Sequence, residues 1–105
     1  MTTKVLADTP VCGHKTYITA ELVGDVVKIG IETTCEEVKA IAKELGELRM
    51  EELATWDNKV FQLAKKLTPT CIVPSAIMNA AWIEAGLMSR YLALEKKEQK
   101  IVFLE

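Results

Sequence analysis

Ile18-Thr19-Ala20-Glu21-Leu22-Val23-Gly24-Asp25-Val26-Val27-Lys28-Ile29-Gly30-Ile31 reads as a β-hairpin, and the rest of the chain is arranged around it. Gly24-Asp25 is a two-residue turn of the kind that supplies positive φ and closes a hairpin. With the turn fixed, Leu22 meets Val27, Ala20 meets Ile29 and Ile18 meets Ile31, all on one face. On the other face Glu21 meets Lys28, an opposite-charge cross-strand pair. Apolar alternation and charge pairing agree on one register, and a slip of one residue would break both. The expected strands run over about 15–23 and 26–32. Carried outward, the register puts His14 opposite Cys35, with Cys12 two residues further along the same side.

The chain has 105 residues, half of them apolar, enough for one domain with its own core. A net charge of −2 with no basic run weighs against nucleic acid as a partner. No apolar stretch approaches the length of a membrane span, and Met1-Thr2-Thr3-Lys4 does not lead into a signal peptide. A soluble, cytoplasmic protein is expected. Three cysteines is an odd number, which fits a reducing compartment better than a closed disulfide framework. None belongs to a Cys-x-x-Cys pair.

Before the hairpin, Lys4 to Ala7 is a short apolar segment that can add an edge strand. Asp8-Thr9-Pro10 breaks it, and Gly13 frees the backbone beside Cys12. After the hairpin the period changes to helical. Thr34-Cys35-Glu36-Glu37 reads as a capping box with Thr34 at the N-cap and Cys35 at the first helical position. Val38, Ile41, Ala42 and Leu45 then make one apolar face, and Gly46 stops the helix. Shorter helices are expected over about 49–54 and 58–67, with Trp56 anchoring the junction between them. Pro69 ends the second. Pro74 suits the first turn of a last long helix over about 74–97, with a stripe of Ala76, Ala80, Ile83, Leu87, Tyr91 and Leu94. Gly86 is a site for a kink in it. Ile101-Val102-Phe103 reads as a short strand or an apolar tail. The fold class is α+β: a small antiparallel sheet, the hairpin plus an edge strand, covered on one face by three to four helices.

The cysteines fall where a strand begins, where a strand hands over to a helix, and where a loop hands over to a helix. Helix starts favour thiolate through unpaired N–H groups and the helix dipole. Cys12, Cys35 and Cys71 with His14, the only histidine, make a tetrahedral donor set for zinc or for iron in a cluster. Two other readings stand beside this one. Cys12 or Cys35 could be the nucleophile of a thiol-dependent enzyme or redox sensor with His14 as its base. Alternatively the cysteines simply pack, as small hydrophobes in a partner-binding module. Met78, Met88 and Trp82 read as packing residues, and Glu36-Glu37 as capping chemistry, since adjacent helical residues do not face each other.

Pro10-Val11-Cys12-Gly13, a hairpin, Cys35 at a strand-to-helix junction, and Leu67-Thr68-Pro69-Thr70-Cys71 before Ala76-Ile77-Met78-Asn79-Ala80-Ala81 resemble the NifU/IscU-type iron–sulfur cluster assembly scaffolds. The resemblance covers about residues 5–86 in outline. It implies that Cys12, Cys35 and Cys71 hold a nascent cluster or a zinc ion, and that the protein is a scaffold rather than an enzyme with turnover. A cysteine desulfurase and recipient apoproteins are the implied partners, and a homodimer is compatible with it. The chain departs from the family pattern in its shorter intercysteine segments, in a Glu/Lys-rich helix where the family has a serine-rich one after the second cysteine, and at particular residues. His14 stands where the family has an aspartate after Cys-Gly, which implies a more firmly held metal. Thr34 replaces the usual glycine before the second cysteine, and Thr70 the histidine common before the third. Leu67-Thr68-Pro69-Thr70 occupies the place of a Leu-Pro-Pro-Val-Lys chaperone motif.

Overall fold

The hairpin forms in the register that side-chain alternation requires. In the computed structural model, which describes all 105 residues, strand β2 (His14–Val23) pairs antiparallel with β3 (Val26–Thr33). Leu22 lies opposite Val27, Ala20 opposite Ile29, Ile18 opposite Ile31 and Glu21 opposite Lys28. Gly24 has φ of 64°, the conformation that places glycine in this turn. The segment before the hairpin is a full edge strand, β1 (Thr2–Thr9), paired antiparallel along its whole length with β2. A short β4 (Glu47–Arg49) closes the other side, giving a four-stranded sheet in the order β1-β2-β3-β4. That strand lies where the sequence suggests helix. Leu48 is fully buried opposite Val27, and three residues are too few for alternation to declare itself.

Four α-helices accompany the sheet, so the fold is α+β. Helix α1 (Glu36–Leu45) buries Val38, Ile41 and Leu45 as its period dictates, and Gly46, at φ of 62°, ends it. The region read as helix over 49–54 is β4 followed by one 3-10 turn, Met50–Glu52. Helix α2 (Lys59–Leu63) starts at Asn58, whose Oδ1 accepts from the Phe61 N–H at 3.1 Å, and continues as a 3-10 turn over Ala64–Lys66. Trp56 does not anchor this junction: it is 81% exposed, with its ring tilted against Phe61.

The expected helix over 74–97 is two helices, α3 (Val73–Glu84) and α4 (Arg90–Lys96). Gly86 is a terminator rather than a kink. At φ of 79° its own N–H donates to Ile83 O at 3.1 Å and that of Leu87 to Trp82 O at 2.8 Å, the paired bonds of a Schellman motif. Ser89 then caps α4 by accepting from the Leu92 N–H. The buried stripe of α3 also differs from the expected one. Val73, Ile77, Ala80 and Ala81 face the sheet, whereas Leu87, Tyr91 and Leu94 are exposed.

The core lies between one sheet face and the helices. Ala7, Ile18, Ala20, Val27 and Leu48 pack with Val38, Ile41, Leu45, Leu53, Val60 and the α3 stripe. Full burial of each large aliphatic side chain contributes about 1.5–3 kcal/mol. The other sheet face, with Lys4, Leu6, Asp8, Lys15, Tyr17, Lys28 and Glu32, is exposed. Residues 97–105 have no regular structure, and Ile101-Val102-Phe103 is an exposed tail rather than a strand.

Candidate functional site

The cysteines come from three separate segments that end at one edge of the core. Strand β1 delivers the chain into the turn Pro10–Gly13 at the end where Thr9 pairs with His14. In that turn the N–H groups of Cys12 and Gly13 both donate to Thr9 O, at 3.2 and 2.9 Å, and Gly13 has φ of 79°. Cys12 is exposed, and its only side-chain hydrogen bond is a long Sγ–H contact to Thr9 O at 3.4 Å. The β2–β3 ladder stops at Thr16 opposite Thr33, at this same end. Cys35 follows two residues later. The expected His14–Cys35 pair is therefore not a ladder pair; His14 is opposite Thr9 on β1.

The placement of Cys71 follows from α3. Glu84, the last residue of α3, accepts from Thr3 Oγ1 at 2.8 Å and from the Leu22 N–H at 3.0 Å, at the far end of β1 and β2. Twelve helical residues at 1.5 Å each span about 18 Å, close to the roughly 20 Å that β1 covers from Thr3 to Thr9. The start of α3 therefore lies over the end of the sheet that carries Cys12 and Cys35, and Cys71 is two residues ahead of it.

Electrostatics agrees with this placement. The Cys71 thiol is held above its ordinary pKa, chiefly by desolvation. The Val73 backbone N–H near its sulfur works the other way, while the charges of Cys12, Cys35 and Glu37 each push it further up. Cys12 and Cys35 are thus each within electrostatic reach of Cys71. They do not yet converge: no three His, Cys, Asp or Glu side chains are close enough to share a metal ion as they stand. Cys35 and Cys71 are half-buried and lean on the core, so part of their surface serves packing.

Cys35 is the N-cap of α1, not its first helical residue, and Thr34 is not the cap. The expected capping box is absent. Instead Thr33 Oγ1 accepts from the Cys35 N–H at 3.2 Å and the Cys35 carbonyl accepts from the Lys39 N–H at 2.9 Å. The Cys35 side chain makes no capping bond and is free for other partners. Thr34 turns to His14, whose Nδ1 lies 2.8 Å from Thr34 Oγ1. That contact leaves Nε2 as the nitrogen available to a ligand. Two residues escaped the sequence reading. Thr34 orients the imidazole, and Glu37, read as a cap, adds its charge to the cysteine cluster. Their only sequence signal is position, one turn or less from Cys35.

A family model described as Family of unknown function (DUF6951) matches residues 3–96. No curated protein and no solved structure matches the chain.

Proposed function

We propose, for a chain that belongs to the DUF6951 family of unknown function, that it is a metal-binding scaffold holding zinc or an iron–sulfur cluster through Cys12, Cys35 and Cys71. His14 is the fourth ligand or a proton acceptor beside them. The observation that carries this is the grouping of three thiols from three segments at one end of the sheet, close enough for two of them to disfavour ionisation of the third. Like charges gathered without a counter-charge are unfavourable, and a bound cation reverses the sign of that effect. A soft cation also prefers thiolate and imidazole to oxygen donors.

The residues suit the task. Cys12 lies on an exposed turn, Cys35 carries an uncommitted side chain at a helix N-terminus, and Cys71 sits in a connector. The resemblance to NifU/IscU-type scaffolds points the same way and adds a cysteine desulfurase and recipient apoproteins as partners. No helix is long and apolar enough to cross a membrane, and three free thiols suit a cytoplasmic, reducing setting. The thiol-enzyme reading draws less support, because the Nδ1 contact of His14, its proposed base, goes to Thr34 rather than to Cys12 or Cys35.

Elemental analysis and an absorbance spectrum of anaerobically purified protein test the proposal. The expected result is close to one zinc ion or one cluster per chain, lost in Cys35→Ala and in Cys71→Ala. Stoichiometric binding by both variants would overturn it, as would wild-type protein that takes up neither metal.

A further inference from the structure

An antiparallel sheet with one long open edge presents a row of unpaired N–H and C=O groups, and proteins that stay monomeric blunt such an edge with bulges, prolines or inward-pointing charges. Strand β1 has no bulge, proline or inward-pointing charge, and its two exposed charges, Lys4 and Asp8, are of opposite sign rather than a run of repelling lysines. It is eight residues long, fully extended and paired on one side only, and the opposite sheet edge, β4, has three residues. Its outward face reads Lys4, Leu6, Asp8. Lys4 and Asp8 are both exposed, and neither forms an ion pair within the chain, although Lys15 is cross-strand from Asp8.

We infer that β1 is a docking edge for β1 of a second copy of this chain, in the antiparallel register that puts Lys4 of each copy opposite Asp8 of the other. A two-fold axis normal to the sheet keeps the helices of both copies on one side and brings together residues of the same face. Centred on Leu6, it pairs Lys4 with Asp8 twice, Leu6 with Leu6 and Val5 with Ala7. Centred on Val5 it would set Lys4 against leucine, and centred on Ala7 it would set Asp8 against leucine. Only one register satisfies charge and apolar matching together. Leu6 is 46% exposed and lies cross-strand from Tyr17, 51% exposed, so the axis passes through an apolar row of Tyr17, Leu6 and their copies. Opposite-charge and aromatic–aliphatic cross-strand pairs are the units that stabilise such a ladder.

This inference is independent of the metal proposal. The cysteine turns lie at opposite ends of the new ladder, with about 20 Å between Thr9 of one copy and Thr9 of the other, so no ion is shared.

Sedimentation velocity on the full chain is the test. Wild-type protein should sediment as a dimer, at twice the 11.7 kDa of the chain. Lys4→Asp and Asp8→Lys each place like charges opposite at both ends and should weaken the dimer by at least about tenfold in Kd. Mixing the two variants one to one restores both opposite-charge pairs and should restore the dimer, as should the double swap in one chain. A monomeric wild type overturns the proposal. So do single variants that dimerise as before, or a mixture that stays monomeric. Hydrogen exchange on unmodified protein is a second arm: alternate β1 amides should slow as concentration rises, and exchange independent of concentration rejects the edge. Metal content should be the same in all these variants.

Discussion

Cys71 shows how one side chain reports on its neighbours. Its thiol is desolvated and faces the charges of Cys12, Cys35 and Glu37, so in metal-free protein near neutral pH it stays protonated. Thiolate is the reactive form, so Cys71 should be the slowest of the three to alkylate, and its rate should rise only above the ordinary thiol pKa of about 8.5. Glu37→Gln removes one of the opposing charges and should shift the Cys71 alkylation profile to lower pH; mass spectrometry of labelled peptides reads this. An unmoved profile would place Glu37 away from the cluster. Asn58 is a second informative residue. It is 1% exposed, caps α2 through Oδ1, and donates through Nδ2 to Thr55 O at 2.7 Å. Asn58→Ala should destabilise the protein by about 1–3 kcal/mol in urea denaturation, since it removes a cap and leaves buried partners unpaired.

At the scale of elements, α3 is the part whose placement decides the site. Its buried positions Val73, Ile77, Ala80 and Ala81 recur at i, i+4, i+7 and i+8, and Glu84 falls next on the same stripe. A carboxylate there is tolerated because its oxygens accept from Thr3 Oγ1, the Leu22 N–H and Arg90 Nη2. These bonds fix the end of α3 to β1 and β2, and so hold its start over the cysteine end. Glu84→Ala should therefore lower thermal stability and, if the proposed site binds metal, metal affinity as well, although Glu84 is at the opposite end of the helix from the proposed ligand Cys71. A loss of stability with unchanged metal affinity would count against this positioning role. Gly86→Ala puts a side chain in the left-handed region and should cost about 1–2 kcal/mol in the same denaturation assay.

For the whole molecule, the same carboxylate ties stability to pH. Burial alone would raise the pKa of Glu84, but the Leu22 N–H, the Thr3 hydroxyl, Arg90 and the N-terminal charge outweigh it, and the net shift is downward. The contribution is present in full above the unfolded value of about 4.3 and is lost as pH falls through the lower folded one. Acid titration of the melting temperature should show a fall below that point, and Glu84→Gln should flatten it. Removal of residues 101–105, all exposed and without regular structure, should leave the melting temperature within about 1 °C of the full chain.

The parts of this protein legible in the sequence are those governed by near neighbours. Alternation and the Gly24-Asp25 turn specify the β2–β3 register, and the spacing of Val38, Ile41 and Leu45 specifies the buried face of α1. Even there, cap geometry moved by one residue, because Thr33 rather than Thr34 took the Cys35 N–H. Along α3 the sequence places the apolar stripe on Ala76, Ala80 and Ile83, but the helix can also bury Val73, Ile77 and Ala81 with Glu84 on the same side. Only packing against β1 and β2, with Thr3 and Arg90 ready to receive Glu84, selected the other. Strand β4 was hidden for the same reason, since three residues acquire their identity from Val27 across the sheet. The types of the candidate ligands can be read from the chain, but their grouping at one end of the sheet cannot, because Cys71 lies 59 positions after Cys12 and only the direction of α3 across the sheet closes that interval.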